Sequence, residues 1–282
     1  MTWLYYSLGA ALCFACLSIL SRIVSVDSKN PRALSLAFNL TSILMAVILF
    51  LLTGSYKKII FPTQTEAWIY FLIAAFFFGM FERLRFFATK LLPASIYSII
   101  SNLSVVIAFI LSLFIYKEIL TLSKAAGFLL ILISLFLVME NKKSKVSIKG
   151  VLVGLTTSLF LGIAMALDKK GATYFSPEVY NILMWTVPFI VLLFPYAKIG
   201  DIKLQFKRFS WKIMLLSLFN FIGYYLGLKA FFLADATKVI PITQSSTIIT
   251  VIAGIFLLNE RNNLTKKIIA GIIAVIGVFL LR

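Results

Sequence analysis

The chain has 282 residues, 61% hydrophobic and only 13% charged, against roughly 45–50% apolar and about 25% charged in an average soluble domain; so large an excess excludes a single water-facing globule and makes lipid the expected solvent. The net charge of +17, from 27 Lys and Arg against 10 Asp and Glu, sits between apolar runs, as loops on anionic lipid head groups require, and no basic stretch resembles a nucleic-acid module. Histidine is absent, which removes His-dependent triads, histidine zinc sites and haem ligation by His.

A helix crosses the roughly 30 Å hydrocarbon core with about 20 apolar residues, its backbone groups satisfied within the segment. Ten stretches qualify: 2–25, 32–53, 66–89, 93–116, 122–140, 149–167, 177–197, 209–233, 237–259 and 264–281. The first has no Lys or Arg before it and no small-residue cleavage site after it, so it is expected to stay in the protein. Within it Cys13 and Cys16 form a C-x-x-C in apolar surroundings, which reads as small helix- or lipid-facing residues rather than a redox or metal motif. The connections are short and carry turn residues at 27–31, 54–58, 141–145 and 176–177, leaving no room for a soluble domain. Proline opens the second, fourth and seventh spans, where its missing N–H costs nothing. Pro188 and Pro241 lie inside spans and are expected to kink them.

The second half of the chain resembles the first. A shift of 142 residues lays Leu92-Pro-Ala-Ser95 on Ala234-Asp-Ala-Thr237, Asn102 on Gln244, and Tyr116-Lys-Glu118 on Leu258-Asn-Glu260; after two extra residues Gly127 meets Gly271. Each half, 1–142 and 143–282, then holds five spans, and an odd number makes the second half enter the membrane from the opposite side. The expected fold class is all-α: a polytopic membrane protein with ten transmembrane helices in two inverted five-helix repeats. Eighteen of the 27 basic residues fall after odd-numbered spans, which by the positive-inside rule places both termini outside.

The residues Phe87-Ala-Thr-Lys-Leu-Leu-Pro-Ala-Ser95, followed by Tyr116-Lys-Glu118 and Gly127, resemble the repeat of the EamA family in the drug/metabolite transporter superfamily. Lys229-Ala-Phe-Phe-Leu-Ala-Asp-Ala-Thr237, with Leu258-Asn-Glu260 and Gly271, is the closer match. The sequence departs from the family pattern at Val105 and Thr247, where proline is usual, and at Asn39, about where an arginine is common. The resemblance implies export or exchange of metabolites, and it implies cytoplasmic termini, against the charge count. A bacterial or archaeal plasma (inner) membrane is the expected location.

Of the ten acidic residues, only Glu82 is read as lying well inside a span, in Gly79-Met-Phe-Glu-Arg-Leu-Arg-Phe86. An ionisable group at that depth is a functional candidate by default. Arg85 lies three residues on, on the same helical face, and can pair with it, whereas Arg83 projects towards another helix. The repeat places Tyr224 opposite Glu82, Tyr225 opposite Arg83 and Gln244 opposite Asn102. These, with Tyr97, Ser101, Tyr180 and Trp185, are the candidate substrate-binding residues of a central pocket; Asn39, Ser98, Asn181, Asn220 and Thr243 are further wall candidates. The hypothesis gives Glu82 a coupling proton or a substrate's cationic group and Arg85 an anionic one; the alternative is a structural Glu–Arg pair. Glu118 and Glu260 read as structural, pairing with Lys124 and Lys267 or capping neighbouring helices, Asp235 and Lys238 as guards of an entrance, and Gly223-x-x-x-Gly227 as close helix packing.

The function expected is secondary transport of a small polar or zwitterionic metabolite, amino acid or amine-like, by alternating access. The alternatives are a channel or scramblase and, behind them, an integral-membrane enzyme. No cofactor or metal is expected. The partners are a small-molecule substrate, a coupling proton and membrane lipids, not nucleic acid, with the protein a monomer or homodimer.

Overall fold

The structure, a computed structural model, describes residues 2–59, 61–116, 120–139, 147–194, 198–234, 239, 242–260 and 263–280. Glu118, Asp235, Lys238 and Pro241 lie outside the described residues. Among the described residues there is no strand, and the long elements are helices: α1 Thr2–Asp27, α2 Pro31–Leu52, α3 Thr65–Leu91, α4 Ala94–Ser101, α5 Leu103–Ile115, α6 Leu122–Met139, α7 Ile148–Gly171, α8 Pro177–Leu193, α9 Ile199–Leu233, α10 Ser246–Leu257 and α11 Leu264–Leu280. Six described segments are long and apolar enough to cross a membrane, with α4 and α5 together making one of them. Their outward faces carry bare Leu, Ile and Phe, such as Leu52 and Phe114, as a lipid-facing surface requires.

Helix starts follow the local chemistry of the sequence. Asn30 accepts a hydrogen bond from Ala33 N at 3.1 Å with Pro31 in the first turn, and Ser147 and Ser176 cap α7 and α8 in the same way. Three expected boundaries need correction. The span 93–116 is divided at Asn102, where Asn102 N donates to Ile99 O and Val105 N to Asn102 O, a tightened turn between α4 and α5. The span expected to begin at 209 begins at Ile199, giving a 35-residue helix of about 52 Å at ~1.5 Å per residue. Its polar extension is anchored to the α1–α2 connection: Asn30 donates to Asp201 at 3.0 Å and Ser28 to Gln205 at 3.0 Å. Finally, α7 runs on to Gly171 rather than ending at 167, which brings Asp168 inside the helix.

The halves interleave. Helices α1 and α2 pack on α9, α3 packs on α7 and α8, and α4 packs on α10. The tightened turn at Asn102 recurs at Ser245, which donates from its N to Ile242 O while Ile248 N donates to Ser245 O. Glu260, at the end of the segment carrying α10, accepts from Ala94 N at 2.7 Å, from Ser95 N at 3.0 Å and from the Ser95 hydroxyl. It is thus the cap of α4, a carboxylate at the positive end of a helix from the other half, while Lys267 lies 3.8 Å away. Glu260→Ala is expected to cost about 2 kcal/mol, the scale of charge-assisted hydrogen bonds, read as a lower unfolding temperature in detergent; unchanged unfolding would show that the cap carries no stability.

Candidate functional site

Helix α3 carries the buried ion pair. Arg85 Nη1 donates to Glu82 Oε1 at 2.6 Å, and both side chains are almost wholly enclosed. Ser35 of α2 donates to the Glu82 backbone carbonyl at 2.8 Å and so fixes the turn that carries the acid. The Arg85 guanidinium lies 4.6 Å from the centre of the Phe38 ring and 5.0 Å from that of Phe86, close enough for the ring faces to stabilise the cation. Phe38 in turn meets Trp185 of α8 edge to face, with ring centres 6.2 Å apart. The cage leaves some polar atoms unused. Glu82 Oε2, Arg85 Nη2, Asn39 Oδ1 and Ser21 Oγ are buried and have no hydrogen-bond partner within the protein. Buried polar atoms are normally paired, so four orphans on neighbouring groups mark a place organised for something else.

These four residues line one cavity of about 280 Å³ enclosed by both halves of the chain. Seven of the eleven substrate-binding candidates lie on its wall: Glu82, Arg85, Tyr97, Ser101, Trp185, Tyr224 and Gln244; Asn39, Ser98, Asn220 and Thr243 join them. The other four candidates are placed elsewhere. Arg83 turns to α8 and donates to Val191 O at 3.3 Å, helping to cap that helix's carbonyl end. Asn102 is fully buried and donates to Thr247 Oγ1 at 3.1 Å, joining α10 to the α4–α5 turn. Tyr225 donates to Glu178 at 3.2 Å, beside the Glu178–Lys229 ion pair at 2.9 Å. Tyr180 lies behind the wall and holds a residue that faces the cavity.

That residue is Asp168, and it corrects the reading of Glu82 as the one acid well inside a span. Tyr180 donates to Asp168 Oδ1 at 2.6 Å and Tyr224 to Oδ2 at 3.5 Å. The sequence Asp168-Lys-Lys170 looks like the start of a loop. The missed signal was periodicity, because Leu161, Met165 and Asp168 recur at helical spacing and all three face the cavity. The Gly223-x-x-x-Gly227 pair also divides. A Cβ on Gly223 would lie 3.1 Å from Cys13 Cβ on α1, so Gly223 permits close packing, whereas Gly227 faces the cavity with no atom within 4 Å of its missing Cβ.

The profile of the EamA-like transporter family matches residues 1–140 and again 148–282. The chain belongs to the EamA-like transporter family. This EamA-like protein is therefore an integral membrane transporter of the drug/metabolite transporter superfamily, and residues from both matched segments line the cavity. A solved structure described only as a crystal structure of a protein has the same fold, with a TM-score of 0.65 and 13% identity over 99% of this chain and 95% of the other. No curated protein matches the sequence.

Arg85→Met strands the Glu82 carboxylate and is expected to cost about 3–5 kcal/mol, the penalty for leaving a buried charge unpaired. Adding Glu82→Gln should recover most of that loss; a double variant as unstable as the sum of the singles would show that the two side chains are not coupled.

Proposed function

We propose that this EamA-like protein exchanges a small zwitterionic metabolite, with an amino acid as the simplest candidate, across the membrane. The observation that carries the reading is the opposite character of the orphaned atoms. Arg85 Nη2 is a cationic donor, while Glu82 Oε2 and Asn39 Oδ1 are acceptors; the atoms themselves are buried, and the three residues that carry them line one cavity, to which a side-chain rotation would present them. A solute carboxylate satisfies the first and a solute ammonium the others, so one molecule with both groups pairs the orphans that the fold leaves. Tyr97, Trp185 and Tyr224 supply the apolar and aromatic wall that such pockets use for the rest of the ligand.

In this reading the ten spans form two inverted five-helix repeats, 1–142 and 143–282, which rock about the cavity and open it to each side in turn. The two tightened turns at Asn102 and Ser245 and the cross-half cap at Glu260 are devices that hold each repeat's broken span in register while the halves move. Energy comes from a solute or ion gradient.

The test is counterflow in liposomes preloaded with a mixture of amino acids, following each labelled amino acid in turn. At least one zwitterion should accumulate saturably, and Glu82→Gln should lower the rate more than tenfold in protein that still unfolds cooperatively. Gly227→Leu places a side chain into the cavity where nothing opposes it, so it should fold and abolish exchange. Undiminished exchange in both variants would rule the cavity out as the route.

A further inference from the structure

Among the described side chains two carboxylates reach the cavity, and one of them, Glu82, is paired with a cation. Glu82 is paired with Arg85 at 2.6 Å. Asp168 is met by two hydroxyls, Tyr180 from α8 and Tyr224 from α9, while the Tyr116 hydroxyl donates to Ala166 O at 2.7 Å. The cations of its described neighbours are turned elsewhere. Lys170 is held by Glu66 and by Tyr70 of α3, and Lys229 of α9 by Glu178 of α8; the remaining hydroxyl nearby, Tyr174, donates to Glu66. Among the described side chains, which do not include that of Lys169, no cation pairs with Asp168.

The two acids also differ in depth and access. Gly150 lies beside Leu91 and Leu92, and Gly171 beside Phe71, so α3 and α7 run antiparallel and Asp168 sits near the level of Ala74. That is about 12 Å from the level of Glu82 at ~1.5 Å per residue. Glu82 is 5% exposed, whereas Asp168 is partly open to the cavity. A carboxylate in a membrane helix that is met by hydroxyls is costly to keep ionised unless positive charge reaches it.

We propose that Asp168 is the group that takes the coupling proton, while Glu82 stays with Arg85 and reads the solute. The proton comes from water on the open side and forms an O–H bond at Oδ2, the oxygen held only at 3.5 Å; it returns to water when the cavity opens to the other side. The Tyr224 hydroxyl can rotate from donor to acceptor and receive that O–H, since a phenol serves either role, and Tyr180 keeps the other oxygen fixed. The consequence for transport, a proton exchanged with the solute, rests on the function proposed above. The test below needs no transported solute, so its failure leaves that function standing.

The experiment is infrared titration of the full chain in lipid. As pH falls, a protonated-carboxyl stretch should grow that shifts when aspartate carboxyls carry carbon-13. It should change frequency in Tyr224→Phe, vanish in Asp168→Asn and persist in Glu82→Gln. A titrating band that ignores the aspartate label and Tyr224→Phe overturns the assignment even if Asp168→Asn does not fold; so does a band lost only in Glu82→Gln, or the absence of any titrating band that responds to Tyr224→Phe. Propylammonium should leave the band unchanged, and its suppression by that cation would overturn the proton assignment in favour of a solute amino group.

Discussion

No water is at hand inside a bilayer to hydrate a charge, so the Glu82–Arg85 pair can persist only where the protein supplies what water would have supplied. Ser35 holds the backbone of the turn, Phe38 and Phe86 flank the guanidinium, and Trp185 brings α8 against that cage. Helices α2, α3 and α8 are thereby brought together around the need to house two charges. The same need leaves Glu82 Oε2 and Arg85 Nη2 without partners, because a pair three residues apart on one helix shares a single contact and cannot satisfy its far sides.

The remainder of the fold holds that pair at the boundary between the halves. Interleaving α1, α2 and α3 with α9, α8 and α7 encloses polar residues from both halves, and the cap from Glu260 to α4 ties the end of the second half to the first. Ser217 of α9 adds a 2.9 Å hydrogen bond to the Phe38 carbonyl, so the backbone that carries the ring flanking Arg85 is tied to the second half.

Much of this was legible in the sequence because lipid demands long apolar runs, and those runs mark their own positions. The internal repeat was more informative still. Glu82 and its counterpart Tyr224 both face the cavity, while Arg83 and its counterpart Tyr225 both point away, as neighbouring positions on equivalent helices should. The pairing fails at Asn102 and Gln244, of which only Gln244 reaches the cavity. The tightened turns explain this failure: they are centred on Asn102 in one half and on Ser245 in the other, a register difference of one residue that no apolar pattern records. Asp168 was hidden for a different reason. Hydropathy reports the end of an apolar run, but the Asp168 carboxylate is kept within the helix by hydroxyls from Tyr180 and Tyr224, partners that only the tertiary structure brings near.

We propose that opposite charges on the cavity wall read opposite charges on one solute. It is tested most directly by comparing the affinity of the purified protein for an exchanged amino acid with that for its methyl ester and for its N-acetyl derivative, which remove one solute charge each. Each change should weaken binding by at least about tenfold, roughly 1.4 kcal/mol, with Glu82→Gln removing the sensitivity to acetylation and Arg85→Met the sensitivity to esterification. An ester or acetyl derivative that binds as tightly as the parent amino acid would contradict it.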